Sequence, residues 1–203
     1  MRQVFIARHG NTFDKGDVVT RVGGRTDLPL SNSGQEQAQA LAAHFAQQGV
    51  AFTRAYCSPL QRTRQTALAV LDAQGGEIEL SALPFLTEVD YGPDENRPEE
   101  DVVARIGAAA LKAWEEEAIP PQGWLIDPPA VVARWQEFFS KVAKGPEDQC
   151  ILLVTSNGIA RFALQALSHV PKDVNIKLKT CAYGLVEITD AEKIELQCWN
   201  QRA

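Results

Sequence analysis

The apolar residues fall into short dense runs, each followed by a polar or glycine-bearing turn and then by a helix-like segment. Gln3–Ala7, Arg54–Cys57 and Cys150–Thr155 are strand-length runs of this kind, too short for helices. The segments after them carry helical periodicity. A first helix is predicted from near Ser33 to Gln48, started by the Ser31-Asn32-Ser33-Gly34 cluster with Glu36 three residues after Ser33, and stopped by Gly49. A second is predicted after Ser58-Pro59, with serine as cap and proline at the first helical position, running to about Ala73. A third follows Asn157-Gly158, with Ile159, Phe162, Ala163 and Ala166 on one face. Strand, turn and helix alternating in this order predict an α/β fold: a three-layer α/β/α sandwich around a mostly parallel sheet.

Two regions depart from that rhythm. Between about 83 and 129 lie seven of the eleven prolines, many acidic residues and an alanine-rich helix candidate at Glu99–Glu117; this reads as an excursion over the sheet edge, where specificity is commonly carried. At the other end, Tyr183–Ile188 and Glu192–Trp199 alternate in the manner of two strands around a Thr189-Asp190 turn, predicting a terminal hairpin.

Length and composition fit a single domain of residues 1–203 with that excursion, since 203 residues at 45% hydrophobic content can fill one substantial core. Twenty basic residues against twenty-six acidic ones leave a net charge of −6, which predicts neither a nucleic-acid partner nor an anionic membrane surface. No apolar run approaches the ~20 residues that span a bilayer, and the chain opens on a strand rather than a charged and then apolar leader, so a soluble, cytoplasmic protein is expected. The four cysteines contain no Cys-x-x-Cys pair and read as reduced core residues.

The chemistry concentrates where predicted strands end. In open α/β sheets ligands collect beyond the carboxyl ends of the strands, where helix N-termini offer free amides to anions. Three such ends carry Arg8-His9, Ser58 to Arg62, and Ser156-Asn157-Gly158. An imidazole at a strand end can act as a nucleophile, and arginines beside it can hold phosphoryl oxygens. No phosphate-binding Gly-x-x-x-x-Gly-Lys-Ser/Thr loop, metal-ligand set or Gly-x-Ser-x-Gly elbow competes with this site in the sequence.

Four blocks in order, Arg8-His9-Gly10-Asn11-Thr12, Gly24 to Leu30 with Ser33 to Ala38, Ser58 to Ala67, and Leu86 to Gly92, together resemble the histidine phosphatase superfamily, the phosphoglycerate mutase-like clan. The resemblance spans nearly the whole chain. It implies a phosphomonoester hydrolase that passes through a phosphohistidine, uses no cofactor and no metal, and acts on a small-molecule phosphoester. His9 is then the nucleophile and Glu88 the proton donor to the leaving alcohol, with Asp90 expected to act on Glu88. Arg8, Arg62, Ser156 and Asn157 bind the phosphate, and Asn11, Arg21, Gly24 and Arg25 are candidates for contact with the rest of the substrate.

The chain also departs from that family. Where relatives usually carry a second histidine after the strand ending in Val154, the sequence reads Thr155-Ser156-Asn157-Gly158. His44 and His169 lie elsewhere in the pattern and read as ordinary core or surface residues. Losing one preorganised donor of this kind commonly slows an enzyme by roughly 10²–10³, unless a lysine or arginine from the excursion restores the charge. Lys15 stands where many relatives have asparagine, and Pro93-Asp94-Glu95-Asn96-Arg97 replaces a Trp-Glu-Gly common among them, so substrate class does not transfer. The alternative to an efficient phosphatase is a phospho-ligand-binding member that keeps the anion pocket and has lost turnover.

Overall fold

The computed structural model describes residues 1–190 and 193–203. Its six-stranded sheet has the order β3-β2-β4-β1-β5-β6, built from β1 (Arg2–Arg8), β2 (Arg54–Cys57), β3 (Leu80–Ala82), β4 (Cys150–Thr155), β5 (Tyr183–Ile188) and β6 (Ile194–Gln201). β3, β2, β4 and β1 run parallel, with Phe5 opposite Leu152 and Tyr56 opposite Leu153. β5 lies antiparallel on β1, and β6 antiparallel on β5. The fold is therefore the mixed α/β sandwich that the alternation predicts.

Burial explains why the central strands read as unbroken apolar runs. Val4 and Ile6 of β1 enter one core and Phe5 and Ala7 the other, because successive side chains of a strand point to opposite faces. The first face is covered by α5 (Pro128–Lys144) and α6 (Asn157–Gln165), with Trp114, Trp135, Phe139 and Phe162 at its centre. The second is covered by α1 (Asn32–Gln47) and α2 (Gln61–Asp72), around the ring cluster of Phe5, Phe45 and Phe52.

Several local expectations change. The cap of α1 is Ser31, whose hydroxyl accepts from Gly34 N at 3.2 Å, and not Ser33; Ser33 and Asn32 instead donate their backbone N–H groups to Asp14, whose carboxyl pKa is lowered to about 2 first by the Ser33 hydroxyl and then by the Ser33 N–H. α2 begins at Gln61 rather than behind a Ser58 cap, because the Ser58 hydroxyl is turned inward to Thr63 Oγ1 at 2.7 Å. The Glu99–Glu117 candidate is two helices, α3 (Glu99–Ile106) and α4 (Ala108–Glu117), broken at Gly107 with φ +82°. α6 is buried nearly all round rather than on one face. β3 and α5 were not predicted; Pro128 and Pro129, which read as loop, occupy the first turn of a helix capped by the Asp127 carboxyl accepting from Ala130 N. The terminal hairpin is present with β6 starting at Ile194, while the Glu192 position of the predicted strand lies outside the described residues.

The four cysteines are free, Cys57 and Cys181 buried and the other two half-buried. Among the described residues no helix is long and apolar enough to cross a membrane.

Candidate functional site

The carboxyl ends of β1 and β4 open into a cavity of about 470 Å³ whose wall includes Arg8, His9, Asn11, Arg21, Glu88 and Asn157. A larger groove, about 730 Å³, runs between α5 and the β2–β3 edge and holds none of the predicted site residues.

Backbone packing fixes the turn after β1. A side chain on Gly10 would overlap the Gly34 carbonyl, and one on Gly34 the Asn11 carbonyl, so both positions demand glycine where the turn meets the start of α1. Gly10 N donates to Thr66 Oγ1 at 3.1 Å and Asn11 N to Gln37 Oε1 at 2.9 Å. His9 N donates to Thr155 O at 3.1 Å. The nucleophile candidate is thereby tied to α1, α2 and β4 at once.

The two ring contacts of His9 specify one tautomer. Gly10 O, which can only accept, lies 2.7 Å from Nδ1, so Nδ1 carries the hydrogen. Arg62 Nε, which can only donate, lies 3.2 Å from Nε2, so Nε2 presents its lone pair. His9 is 7% exposed. Burial first, then the charges of Arg62 and Arg8, hold its pKa well below the ordinary 6.5, which keeps the ring neutral and nucleophilic.

Arg62, at the second position of α2, is fully buried. Besides His9 it reaches Thr26 O at 2.8 Å and Gly23 O at 3.1 Å, pinning the loop that precedes α1. Arg8 donates from Nη1 to Leu178 O at 3.0 Å, while its buried Nε has no partner among the described residues. Glu88 is 9% exposed; one carboxylate oxygen accepts from Val89 N at 2.9 Å and the other from Gly158 N at 3.3 Å, at the N-terminus of α6. A Cβ on Gly158 would overlap Glu88 Oε1.

The remaining predicted residues divide. Asn11 and Asn157 lie on the wall; the Asn11 amide donates to Ser33 Oγ at 3.3 Å and Asn157 Oδ1 accepts from Leu178 N at 2.8 Å. Arg21 lies there too, bonded to Glu99 and set over the Tyr91 and Trp124 rings. Ser156 does not line the cavity: it is fully buried, and its hydroxyl has no partner among the described residues. Arg25 is turned away, its Nε 2.9 Å from Asp90 and its Nη2 2.8 Å from Gly92 O. Asp90 is spent on that pair rather than on Glu88. Gly24 is a packing residue, donating to Val89 O at 2.8 Å with no room for a side chain beside Glu88 O. Lys15 is exposed and off the wall, as is His169, while His44 bonds the Tyr183 hydroxyl at 3.1 Å inside the α1 layer.

Sequence reasoning missed Tyr91, Trp114 and Arg161, all on the cavity wall. Arg161 had a signal: it is the one charge within Ile159-Ala160-Arg161-Phe162-Ala163-Leu164, a helical stretch too apolar to expose. The cation beside the α6 turn thus comes from α6 itself and not from the excursion.

Comparisons with known proteins converge on one family. The family model described as "Histidine phosphatase superfamily (branch 1)" matches residues 4–202. The chain is 29% identical over 172 residues to an adenosylcobalamin/alpha-ribazole phosphatase of Salmonella typhimurium, covering 83% of this chain and 81% of that one. It is 30% identical over 196 residues to a "Probable phosphoglycerate mutase GpmB" of Enterobacter sp. (strain 638), covering 94% and 87%. In structure it is similar to a mycobacterial glucosyl-3-phosphoglycerate phosphatase, with a TM-score of 0.80 at 21% identity and all of both chains covered.

Proposed function

The chain belongs to the histidine phosphatase superfamily, and we propose that it is a phosphatase that removes the phosphoryl group of a small phosphomonoester through a phosphohistidine at His9. The observation that carries this is the His9 ring itself: Nδ1 is engaged by Gly10 O, and Nε2, 3.2 Å from Arg62 Nε, points its lone pair at the cation that would hold the incoming group. The names of the relatives share phosphate removal or transfer and differ in the rest of the substrate, so the reading is of a phosphomonoester with no particular alcohol attached.

In the first step His9 Nε2 releases the Arg62 Nε–H, which turns to a phosphoryl oxygen, and attacks phosphorus; the P–N bond forms, the ester P–O bond breaks, and the leaving oxygen takes a proton from a protonated Glu88. In the second, water attacks phosphorus, gives its proton to Glu88, the P–N bond breaks, and inorganic phosphate leaves with His9 neutral again. Arg8 and Arg62 hold the equatorial oxygens, where charge-assisted hydrogen bonds are strongest.

The test is turnover of 4-nitrophenyl phosphate by the purified chain, with and without chelator, together with trapping of the phosphorylated protein. Phosphate release by wild type, none by His9→Ala, and a phosphoprotein that forms only when His9 is present are expected; equal release by both sinks the assignment. The buried, uncharged Ser156 favours the second reading, a phospho-ligand binder without efficient turnover. Tight inorganic phosphate binding with no phosphoprotein and no release would select it.

A further inference from the structure

The cavity wall holds more cationic charge than its own carboxylates neutralise. At the rim Arg21 pairs with Glu99, and Lys177 with Glu115 at 3.0 Å. Deeper in, Arg8 and Arg161 line the wall together with Glu88, while Arg62 stands behind His9, off the wall. Asp27 and Glu95 act on Arg62 only from outside the cavity, with oxygens already taken by Gln61 N and by Gly23 N and Thr26 Oγ1. Two guanidiniums on the wall, with a third behind His9, outnumber the one inner carboxyl, so the inner cavity is cationic and suits an anionic phosphoryl group.

Arg161 is the unexplained member of this set. It is 1% exposed, and no carboxylate bonds it among the described residues. Buried cations are ordinarily paired, because a guanidinium taken out of water without an anion is unfavourable. It stands one helical turn beyond Asn157, and side chains on a helix lean toward its N-terminus. Its Nε donates to Asn157 O at 3.2 Å, its Nη1 to Trp114 O, and its plane covers the Trp114 ring at 4.4 Å from the centroid. Three anchors thus hold the fork still at the mouth of α6, and Nη2 is left with no protein acceptor among the described residues. Glu88 is the first of the charges acting on it, and Arg161 in turn acts on Arg8 more strongly than Arg62 does, so it belongs to the inner group and not to the rim.

We propose that Arg161 is a third phosphoryl-binding guanidinium, its Nη2 donating to a phosphoryl oxygen from the α6 side of the cavity. Ser156 brings no charge to that side, and Arg161 supplies it from five residues further along the chain. The proposal rests on the phosphatase reading for its kinetic consequence but not for its binding consequence.

The experiment compares wild type, Arg161→Met and Arg161→Lys for turnover of 4-nitrophenyl phosphate, which has no second acidic group, and for binding of inorganic phosphate and vanadate. Loss of one preorganised donor predicts a fall of about 10²–10³ in kcat/KM for Arg161→Met, at least a tenfold loss of phosphate and vanadate affinity, and a melting temperature without ligand close to wild type. Arg161→Lys should lie between, keeping charge without the fork. Wild-type turnover and vanadate affinity in Arg161→Met overturn the proposal, as does a loss confined to substrates bearing a second anionic group. Should Arg161→Met not fold, Arg161→Gln takes the same measurements, and wild-type vanadate affinity there overturns it equally. If instead His9→Ala keeps full turnover, the phosphohistidine reading fails, while the phosphate titration of the Arg161 variants still decides this residue.

Discussion

Arg62 Nε donates to His9 Nε2 across 3.2 Å, and the same guanidinium holds the carbonyls of Gly23 and Thr26. One buried side chain therefore orients the ring, lowers its proton affinity, and anchors the loop between β1 and α1. Arg62→Met should separate these roles. It leaves two buried carbonyls unpaired, costing about 1–3 kcal/mol each, and should raise the His9 pKa toward its ordinary value because one of the two depressing charges is gone. Urea unfolding measures the first effect and a histidine NMR titration the second; an unmoved His9 titration would show that burial and Arg8 set its protonation without Arg62.

The depressed pKa of His9 also fixes the sign of a pH dependence. The unfolded chain takes up a proton near 6.5, whereas the folded ring does so only well below it. Between those values the unfolded state binds more protons, so this contribution is complete above pH 6.5 and is lost as pH falls. Unfolding free energy should drop by up to about 1.4 kcal/mol per pH unit from this group. Denaturant titrations from pH 7.5 to 5.5 on wild type and His9→Phe check it: the difference between them should shrink or reverse on the acid side.

Gly158 gives Glu88 its room. A Cβ there overlaps Glu88 Oε1 and crowds Val89, and the carboxylate end is what can swing away. Gly158→Ala should then mimic Glu88→Gln, each lowering kcat by roughly 10²–10⁴ if Glu88 protonates the leaving group. The loss should be smaller for 4-nitrophenyl phosphate than for an alkyl phosphate, whose leaving oxygen needs the proton more. Equal losses on both substrates would remove Glu88 from that role.

Far from the chemistry, Asp94 is 2% exposed and held by Arg105 and by Trp124 Nε1 at 2.7 Å. These partners keep its pKa below the ordinary 3.8 although burial pushes the other way. Its contribution is present above that value and is lost as pH falls through the folded one. Arg105→Ala should cost about 2–4 kcal/mol, somewhat under the figure for a fully buried pair because Arg105 is 35% exposed. Thermal melts at neutral pH and at pH 2.5 test this, with the cost expected to shrink at the lower pH.

Much of this molecule is written locally. The strands β1, β2 and β4 were legible because a strand covered on both faces needs a continuous apolar run, as in Val4-Phe5-Ile6-Ala7, and the helices after them because periodicity and caps act over a few residues. The family was legible from blocks whose spacing survives in the chain itself. Other features depend on partners distant in sequence. α5 was hidden by its two opening prolines, which only a tertiary surface such as the one under Trp135 and Phe139 turns into a helix start. Arg25 and Asp90 lie 65 positions apart, and their pairing at 2.9 Å takes both away from the roles a reading of motifs gives them. Ser156 stands at the N-cap of α6 and Arg161 inside that helix, yet the fold buries the serine hydroxyl with no partner among the described residues and lays the guanidinium along the cavity. The order of residues determines which groups are available at the strand ends; which of them turn inward is decided by packing, since a side chain's direction is settled by neighbours that the linear chain does not place beside it.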